Sequence, residues 1–576
     1  MNRLISLWLR RRGLTLENVR RYNSCEHANL AHVDKLCSEL NVARERGDLV
    51  VVLPDFDCDG VMSATVLYAG LNELGFRCEV YHPDPSRGYG MHMADVDALC
   101  SEFPDVRYVI TCDTGIGAVE AVAELKRRGI HVLVTDHHKE IEGESSRAYA
   151  DVVVNPNGVD DTYFNKSVCG AYVAWQCLMT YVCTRQPWKI DAIERLKLFA
   201  GVGTVSDSMV MLYENREVVR GSLALCRLFY GDAGHALIES MPACDEYKRA
   251  FIGIEALVDG FARASKYFAG PDSIDESFYG FSIAPSINAV KRMGGEMGIV
   301  YDLFCGRCDT EECVEYMLAT NESRKAVVRS IMASINDDDF RDAPYIYVVD
   351  ALPGVLGLIA SNLCENSGLP VCVVRETDDG KLAGSGRSPS WLNFISEMES
   401  AEDVHGVVAR GHEQAFGVSF ADPDAVREYK KHIQKAIHEK APAAGSGDRI
   451  AELRIGEGPG FDVGFDAVEL RCLLDELDEY RPFGRGFEAP DIEFTMDFNM
   501  DGIHAKRVRD HIIVNMPGGV SATLWNQASL LGDDELKGVC TCRGTLERNT
   551  YKGVGSPQLN GQVVRYELDG KVVFDG

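Results

Sequence analysis

The sequence predicts an α/β protein with two successive α/β domains, joined by a long helix and followed by a β-rich C-terminal domain. Apolar segments typical of buried strands alternate with helical patterns from Leu49 onward, and again from Tyr345 onward. Between them, the stretch from Glu311 to Asp337 keeps a helical period without glycine or proline. After Ala441, a short flexible segment leads into alternating short strands. About two to four domains are expected for a chain of 576 residues.

The composition excludes some functions and leaves others open. A formal net charge of −29 argues against a chain that coats nucleic acid without specificity. It does not exclude a nuclease, because metal-binding carboxylates raise the acidic count and a basic groove can lie on an acidic body. The 19 cysteines form no tight Cys/His cluster, and neither a signal peptide nor a membrane-length apolar run is evident. We therefore expect free thiols and a cytoplasmic protein.

Acidic residues and histidines follow three of the predicted strands. They are Asp55, Asp57 and Asp59 after Leu53, Asp113 after Cys112, and Asp136, His137 and His138 after Thr135. The carboxyl ends of parallel strands meet at one edge of a sheet, where ligands bind. Carboxylates combined with imidazole suit Mn²⁺ or Mg²⁺ rather than a thiolate-bound metal.

Two simpler interpretations explain less of this pattern. An EF-hand calcium loop starting at Asp55 would need a bidentate glutamate at its twelfth position, and that position is Val66. An Asp-Gly pair after a strand is also an ordinary turn sequence. Three strands that all end in acid or imidazole make three unrelated turns a poor explanation.

These segments resemble the motifs of the DHH phosphoesterases. Asp-Phe-Asp-Cys-Asp-Gly at 55–60, Cys-Asp-Thr-Gly-Ile at 112–116 and Asp-His-His at 136–138 match in order. Gly-Thr-Val-Ser-Asp at 203–207 and Gly-Ser-Gly-Arg-Ser at 384–388 extend the resemblance to the RecJ-like exonucleases, which carry a DHHA1 domain. The resemblance runs from about Leu4 to the C-terminus.

The resemblance implies a metal-dependent exonuclease that digests single-stranded DNA from 5′ to 3′, releases mononucleotides and acts in DNA repair and recombination. Two Mn²⁺ or Mg²⁺ ions would be held by Asp55, Asp57, Asp113, His137 and Asp207, with Asp113 bridging them. The implied catalytic residues are Asp113, His137 and His138. The sequence leaves open whether His138 positions the phosphate or binds a metal ion.

The resemblance also implies substrate contacts by Arg87, Arg292, Ser385, Arg387 and His412. Ser385 and Arg387 would form an anion pocket beside small glycines, and His412 would face the metal ions. Several positions depart from the family pattern. These are Leu53 and Leu352, where His occurs in relatives, Lys291 and Arg410, where Gly is usual, and Phe487, where Asn is usual.

The predicted domains are N-terminal helices packing on the core (1–48), a DHH catalytic domain (49–300), a connecting helix (301–343), a DHHA1 domain (344–440), a linker (441–450) and an OB-fold-like nucleic-acid-binding β-barrel (451–576). The triple arginine 10–12 favours the solvated basic face of a packing helix over a membrane or DNA contact. A cluster of His504, Lys506, Arg507 and Arg509 in the barrel favours nucleic acid over dimerisation.

The implied partner is single-stranded DNA, with a single-strand-binding protein and a helicase as further partners and no membrane. A nanoRNase or pAp phosphatase shares the DHH and DHHA1 core but would end near residue 440. A manganese pyrophosphatase would lack the Gly-Gly-His-like segment, Arg410-Gly411-His412, and the barrel. A non-catalytic single-strand-binding replication factor of this fold would have lost metal ligands, whereas this chain keeps all the acidic ones.

Overall fold

The computed structural model describes residues 3–575, except for 16, 20–29, 89, 142, 266–267, 336–345, 378, 402–403, 442–450, 458, 509–510, 526, 529–536, 550–555 and 569. Arg509 and nearly all of the predicted linker therefore lie outside the described residues. The chain divides into two compact units. One comprises Met1–Ala284, Tyr301–Glu311 and Ile450–Gly576, and the other Pro285–Val300 and Glu312–Arg449.

A five-stranded parallel sheet forms the centre of the first unit, as the sequence predicts. Its strands are β1 Leu49–Pro54, β2 Arg77–Val80, β3 Val106–Cys112, β4 His131–Thr135 and β5 Val152–Val154, in the order β2-β1-β3-β4-β5. Every pairing is parallel. All six residues of β1 are buried, as expected for a strand covered on both faces. The carboxyl ends of these strands share one edge.

Helices precede, alternate with and follow these strands along the chain. Those described before residue 293 are α1 Arg3–Arg11, α2 Val33–Arg46, α3 Cys58–Glu73, α4 Met93–Glu102, α5 Val119–Arg127, α6 Gly170–Arg185, α7 Ile190–Arg195, α8 Lys197–Ser206, α9 Glu214–Leu228, α10 Gly231–Glu239, α11 Asp245–Ala264, α12 Glu276–Phe278 and α13 Ala284–Arg292. A π-helical turn, Tyr279–Ile283, separates the last two. Helix α3 packs against β1, α6 and α8 and is buried on almost every side, so it fixes the loop that follows β1.

The second unit contains a mixed sheet and the helices around it. Its strands are β6 Ile346–Val348, β7 Val371–Glu376, β8 Leu382–Arg387, β9 Val407–Gly411 and β10 Ala415–Phe420, in the order β6-β7-β8-β10-β9. The next helices along the chain are α14 Gly298–Cys305, α15 Thr310–Ser334, α16 Pro353–Ser367, α17 Phe394–Glu399 and α18 Pro423–Lys440. Helix α16 packs on one face of the sheet, and α18 packs on the other.

The predicted connecting helix, 301–343, differs from the helices observed. Helix α14 ends at Cys305, and α15 begins only at Thr310. Gly306 lies between them with φ +67°, the left-handed conformation that ends many helices. A glycine in this region is the C-cap signal that the sequence analysis overlooked.

The C-terminal part of the first unit is rich in strands. It contains α19 Ala467–Asp478 and β11 Leu453–Ile455, β12 Ile492–Asp497, β13 His504–Val508, β14 His511–Asn515, β15 Ser521–Leu524, β16 Val539–Asn549, β17 Ser556–Leu568 and β18 Lys571–Asp575. They form one sheet, ordered β11-β12-β16-β17-β15-β14-β13, with β18 paired to β17. Among the described pairings none joins β11 to β13, so closure into a barrel stays a prediction.

The first helix packs on the C-terminal sheet rather than on the DHH sheet. Leu4, Ile5, Trp8 and Leu9 belong to the same core as the β11–β17 side chains. Arg11 pairs with Asp462 at 2.6 Å and Arg12 with Glu452 at 2.6 Å, so the predicted solvated basic face is engaged in ion pairs. By contrast, α2 contacts α6 and β5. The apolar period of residues 1–48 predicts buried faces but not which surface buries them.

None of the described helices is both long and apolar enough to cross a membrane. Most described cysteines are free thiols, as expected. Cys308 and Cys313 are disulfide-bonded, which the sequence analysis did not anticipate, since their spacing matched no ligand or redox motif.

Candidate active site

The predicted metal ligands come together at the carboxyl edge of the parallel sheet. Ligand atoms lie within 4.8 Å of one another in three groups: Asp55 with Asp57 and Asp113, Asp59 with His137 and Asp207, and Asp113 with His137 and His138. Asp113 and His137 each belong to two of these groups. A donor set of carboxylates and imidazoles that overlaps in this way can hold more than one divalent cation.

The loop after β1 is fixed by its own backbone and by the start of α3. The Asp55 amide donates to the carbonyl of Cys112 at 3.2 Å, which ties the loop to β3. Asp57 caps α3, its carboxylate accepting from the Gly60 amide at 3.0 Å. Position 60 requires glycine, because a Cβ there would lie 2.3 Å from the Asp55 carbonyl oxygen. The glycine that ends the Asp-Phe-Asp-Cys-Asp-Gly motif is therefore required for steric reasons.

Asp113 occupies the centre of the site in an unusual backbone conformation. Its φ is +59°, an uncommon region for residues other than glycine. Its Oδ1 is buried, accepts no hydrogen bond and lies 3.0 Å from Nε2 of His137. A buried acceptor without a donor is costly unless another group satisfies it. A divalent cation fits that requirement, so the residues present suit the implied metal ions.

The electrostatics of the site point the same way. Burial, followed by the charges of Asp59, Asp57 and other carboxylates, raises the pKa of Asp113 well above its usual value. The same two causes raise the pKa of Asp207 to about 8. Burial lowers the pKa of His137. Without a cation, Asp113 and Asp207 therefore favour their protonated forms, and His137 favours its neutral form. A bound cation would lower the pKa of the two carboxyls and favour their deprotonated forms.

His138 differs from His137 because it is paired with Asp136. Asp136 Oδ1 lies 2.8 Å from His138 Nδ1, and Asp136 Oδ2 accepts from the Ile116 amide at 2.9 Å. Burial opposes both charges, but their hydrogen bond and mutual attraction outweigh it. The pKa of His138 rises to about 9, and that of Asp136 falls to about 2. Asp136 thus orients a protonated imidazole, a role that the sequence analysis did not assign.

Asp59 is a second residue whose role the sequence analysis missed. Its carboxylate accepts from the amides of Gly170 at 2.6 Å and Ala171 at 3.1 Å, at the start of α6. It also lies 3.8 Å from Nε2 of His137. The third carboxylate of the Asp-X-Asp-X-Asp segment was the available signal. Its contact with a helix more than a hundred residues later could not be read from the spacing.

Asp207 reaches the site from the end of α8, where it is the C-cap residue. Its Oδ2 lies 3.6 Å from Nε2 of His137, and its side chain is 34% exposed. A carboxylate at the C-terminal end of a helix opposes the helix dipole. Such an unfavourable placement is typical of a functional residue rather than a structural cap.

The predicted substrate residues of the second unit surround the start of α16. A Cβ on Gly354 would lie 2.4 Å from the Arg292 carbonyl oxygen, and a Cβ on Gly357 would lie 3.1 Å from Arg387 Nη2 and 3.5 Å from Ser385 Oγ. Arg387 Nε donates to Ser361 Oγ at 3.0 Å, which holds the guanidinium in place. Ser385 also lines a cavity of about 450 Å³. Helix N-termini and arginines together suit an anion.

The two remaining predicted contacts lie elsewhere. Arg87 belongs to a 3₁₀ turn after β2 and pairs with Asp95 at 2.6 Å, within 3.5 Å of the Tyr81 hydroxyl. This partly occupies the guanidinium that the resemblance assigns to the substrate. His412 is exposed in the hairpin between β9 and β10, where its amide donates to Ala415 at 2.9 Å.

Known proteins share this arrangement of domains. The DHH family N-terminal domain matches residues 49–200, and the DHHA1 domain matches residues 342–439. The single-stranded-DNA-specific exonuclease RecJ of Dickeya dadantii is 26% identical over 543 residues, which cover 88% of this chain and 86% of that protein. The chain carries a DHH domain followed by a DHHA1 domain and is similar to the RecJ exonucleases over most of its length.

Other RecJ proteins extend the comparison. That of Escherichia coli is 26% identical over 434 residues, covering 71% of this chain and 70% of that protein. The crystal structure of RecJ in complex with Mn²⁺ from Thermus thermophilus matches with a TM-score of 0.68 at 21% identity, covering 100% of this chain and 77% of that one. The RecJ fold therefore extends over the whole of this chain, including its strand-rich C-terminal part.

Proposed function

We propose that this RecJ-like chain is a metal-dependent exonuclease that hydrolyses single-stranded DNA from its 5′ end and releases mononucleotides. The carrying observation is the crowded set of carboxylates and imidazoles around Asp113, whose buried Oδ1 accepts no hydrogen bond. The relatives are named single-stranded-DNA-specific exonucleases, which supports this substrate. A single-strand-binding protein and a helicase are proposed partners on the family resemblance.

Two Mn²⁺ or Mg²⁺ ions are the proposed cofactors, and similar RecJ structures are complexes with Mn²⁺ and with Mg²⁺. The proposed ligands are Asp55, Asp57, Asp113, His137 and Asp207. When bound, such a pair of ions lowers the pKa of water and stabilises negative charge on phosphodiester oxygens. Asp59 of α3, held by the Gly170 amide at the start of α6, lies 3.8 Å from Nε2 of His137 and adds a further carboxylate to this ligand group.

His138 is proposed to position the phosphate rather than to act as a base. Because Asp136 raises its pKa to about 9, its imidazole carries a proton on both nitrogens at neutral pH. Nδ1 is engaged with Asp136, so Nε2–H is the group that can donate to a phosphate oxygen. Hydrogen bonds between charged partners are stronger than neutral ones.

The second unit is proposed to hold the phosphates of the strand. Ser385 and Arg387 lie against the first turns of α16, where backbone amides and the helix dipole favour an anion. Arg292 joins this group through its backbone contact with Gly354. A terminal 5′ phosphate bound there would give the digestion its direction. Arg87 is a weaker candidate because Asp95 already binds it.

The C-terminal sheet is proposed to bind more distant parts of the strand. Strand β13 at the sheet edge has exposed side chains from His504 to Arg507. Trp525 is 44% exposed and packs edge-on against His511, with 4.8 Å between ring centroids. Basic residues beside an accessible aromatic ring suit a single strand, whose bases stack and whose phosphates are anionic.

Digestion of one DNA strand labelled at either end tests the proposal. We expect early release of the 5′ label as a mononucleotide in Mn²⁺, with little attack on a blunt duplex. The control is Asp113→Asn, which removes a proposed ligand while keeping the side-chain shape. Early release of the 3′ label, equal attack on the duplex or full activity of the control would each contradict the proposal.

A further inference from the structure

Strand β10 exposes a line of small side chains on one face of the second unit's sheet. Phe416, Val418 and Phe420 point into the core covered by α18. Side chains alternate between the two faces of a strand. The opposite face of β10 therefore presents Ala415, Gly417 and Ser419. Because none of these is large, they form the floor of a shallow trough along the strand.

The strand register shows which residues flank this trough. Arg387 and Ser385 on β8 pair with Ala415 and Gly417, while Arg410 on β9 pairs with Gly417 from the other side. Neither pairing contains a bulge, and directly paired residues share a face. Ser385 and Arg410 are thus separated by two strand spacings, roughly 9.5 Å.

The Arg410 side is open, whereas the Arg387 side is supported by a helix. Gly357 of α16 lies against Ser385 and Arg387, so this helix forms a wall over β8. Arg410 is exposed on β9, the edge strand of the sheet. Within the described part of the chain, its guanidinium makes no ion pair or hydrogen bond. The trough therefore has the guanidinium of Arg387, fixed by α16, on one side and the exposed guanidinium of Arg410 on the other.

The backbone explains why arginine is tolerated at this position of the Gly-Gly-His-like segment. Gly411 has φ +135°, and a Cβ there would lie 2.9 Å from the Ala415 carbonyl oxygen, so the second position needs glycine. Arg410 has no positive φ and pairs regularly with Gly417. The first position of the segment is thus an ordinary strand residue whose side chain is free to vary.

We propose that Arg410 binds a backbone phosphate of single-stranded DNA lying in the β10 trough, in addition to the phosphate held near Ser385 and Arg387. This inference rests on the proposed function. A guanidinium matches the paired oxygens of a phosphodiester. A duplex is wider than the ~12 Å major groove that separates its two backbones, so it does not fit a trough roughly 9.5 Å wide, whereas one strand does. Arg410 would thus add a phosphate contact that a glycine at this position cannot make.

The competing explanation is that Arg410 only protects an edge strand. Charged side chains on edge strands discourage pairing with other chains and need no ligand. In that case Arg410 would contribute to solubility without a specific phosphate contact. The two explanations differ in their effect on DNA affinity and on its salt dependence.

Binding of a 5′-phosphorylated oligothymidylate to full-length protein tests the inference. The protein carries Asp113→Asn so that the strand is not digested, and its affinity is measured by fluorescence anisotropy in Mn²⁺ at several salt concentrations. The variants are Arg410→Ala, Arg410→Gly and Arg410→Lys. The matched control is Arg427→Ala on α18, which packs on the opposite face and pairs with Asp424.

We expect Arg410→Ala and Arg410→Gly to bind roughly threefold to tenfold more weakly, with the salt slope reduced by about 0.7, one single-strand phosphate contact. Arg410→Lys should keep the slope, and Arg427→Ala should match the parent protein. Replacing single phosphates by neutral methylphosphonates should identify one position that weakens parent binding but not Arg410→Ala binding. Affinities and slopes equal to those of the control would overturn the inference.

This outcome is distinguishable from failure of the proposed function. If wild-type protein digests single strands while the Arg410 variants bind normally, only the Arg410 inference fails. If the wild type does not hydrolyse single strands at all, the proposed function fails, whatever the Arg410 affinities show.

Discussion

The guanidinium of Arg216 lies 4.3 Å from the ring centroid of Phe487 and donates to the carbonyl oxygens of Pro482 at 2.6 Å and Tyr480 at 2.8 Å. Arg216 is fully buried, so these contacts replace all of its water. Phe487 stands where the family resemblance leads us to expect asparagine. The aromatic ring supplies a cation–π contact that asparagine cannot make. One side chain of α9 thus attaches the DHH region to the segment before β12.

Arg216→Ala should destabilise the protein by about 2–4 kcal/mol, because it leaves two carbonyl groups without donors and a cavity beside Phe487. Thermal unfolding measures the loss. The matched control is Arg220→Ala, since Arg220 donates one exposed hydrogen bond to the Arg481 carbonyl. We expect this control to cost under about 1 kcal/mol. Equal losses for the two variants would contradict the role assigned to Arg216.

Deleting residues 445–576 would be a poor test of the C-terminal sheet, because it would expose the apolar face of α1 and leave Arg216 without its partners. The double variant Lys506→Ala, Trp525→Ala keeps the fold. It should weaken binding of long single strands by about tenfold, since it removes one cation and one stacking ring. Hydrolysis of very short oligonucleotides should change little. An equal effect on both lengths would show that the sheet does not bind distant nucleotides.

Asp113→Asn should abolish hydrolysis and raise the stability of the metal-free protein by on the order of 1 kcal/mol, because asparagine stays neutral where the buried Asp113 carboxyl must either bind a proton or carry an unfavourable charge. Asparagine also tolerates the positive φ of this position. Activity in Mn²⁺ and thermal unfolding in a chelator measure the two effects. The control is Asp105→Asn, which removes an exposed carboxylate paired with Arg77. A variant less stable than the control would contradict this explanation.

The metal-free protein should lose stability between about pH 7 and 9. The folded state holds a proton on Asp207 up to about pH 8 and on His138 up to about pH 9, whereas the unfolded chain releases both earlier. Because the folded state binds more protons in this window, its stability falls as pH rises. The pKa of His137 is lowered, so it stays neutral throughout.

Thermal unfolding in a chelator across this pH window measures the trend, which should amount to on the order of 1 kcal/mol after allowance for the exposed part of Asp207. Saturating Mn²⁺ should reverse it, since a cation binds the deprotonated ligands better as pH rises. Asp207→Asn should flatten the metal-free trend. Stability that rises with pH in the chelator would contradict the assignment.

Arg387→Ala should slow cleavage of 5′-phosphorylated strands by about 1.5–3 kcal/mol in kcat/KM, the value of a hydrogen bond to a charged group. The loss in kcat/KM should be smaller for 5′-hydroxyl strands. The ratio of kcat/KM between 5′-phosphorylated and 5′-hydroxyl strands should therefore fall. Arg427→Ala offers a control, because Arg427 lies on α18, which packs on the opposite face of the sheet, and pairs with Asp424. Parallel losses on both strand types would argue against a terminal-phosphate contact.

The sequence predicts the parallel sheet and its acidic edge because both depend on local patterns. The buried run of β1 and the Asp residues after it occupy adjacent positions, and strand direction then brings separate loops together. The role of Asp136 could not be derived in the same way. Its importance depends on a 2.8 Å contact with His138, and sequence spacing does not distinguish an orienting carboxylate from a metal ligand.

Contacts between residues that are distant in the chain could not be predicted from the sequence. The apolar side of α1 is evident from Leu4, Ile5, Trp8 and Leu9. The pattern of an amphipathic helix predicts that this side is buried, but not which surface covers it. The same holds for Arg216, whose position on α9 does not indicate that its donors reach residues 480–482.

The seating of α1 on the C-terminal sheet has a consequence for synthesis on the ribosome. The Trp8 indole donates to the carboxylate of Glu452, 444 residues further along the chain. At roughly 5–20 residues per second, the helix waits on the order of 20–90 seconds before its partner emerges. During that time its apolar side is available to chaperones or to neighbouring nascent chains. The yield of folded protein should therefore depend on translation speed and on the supply of chaperones that bind exposed apolar surfaces.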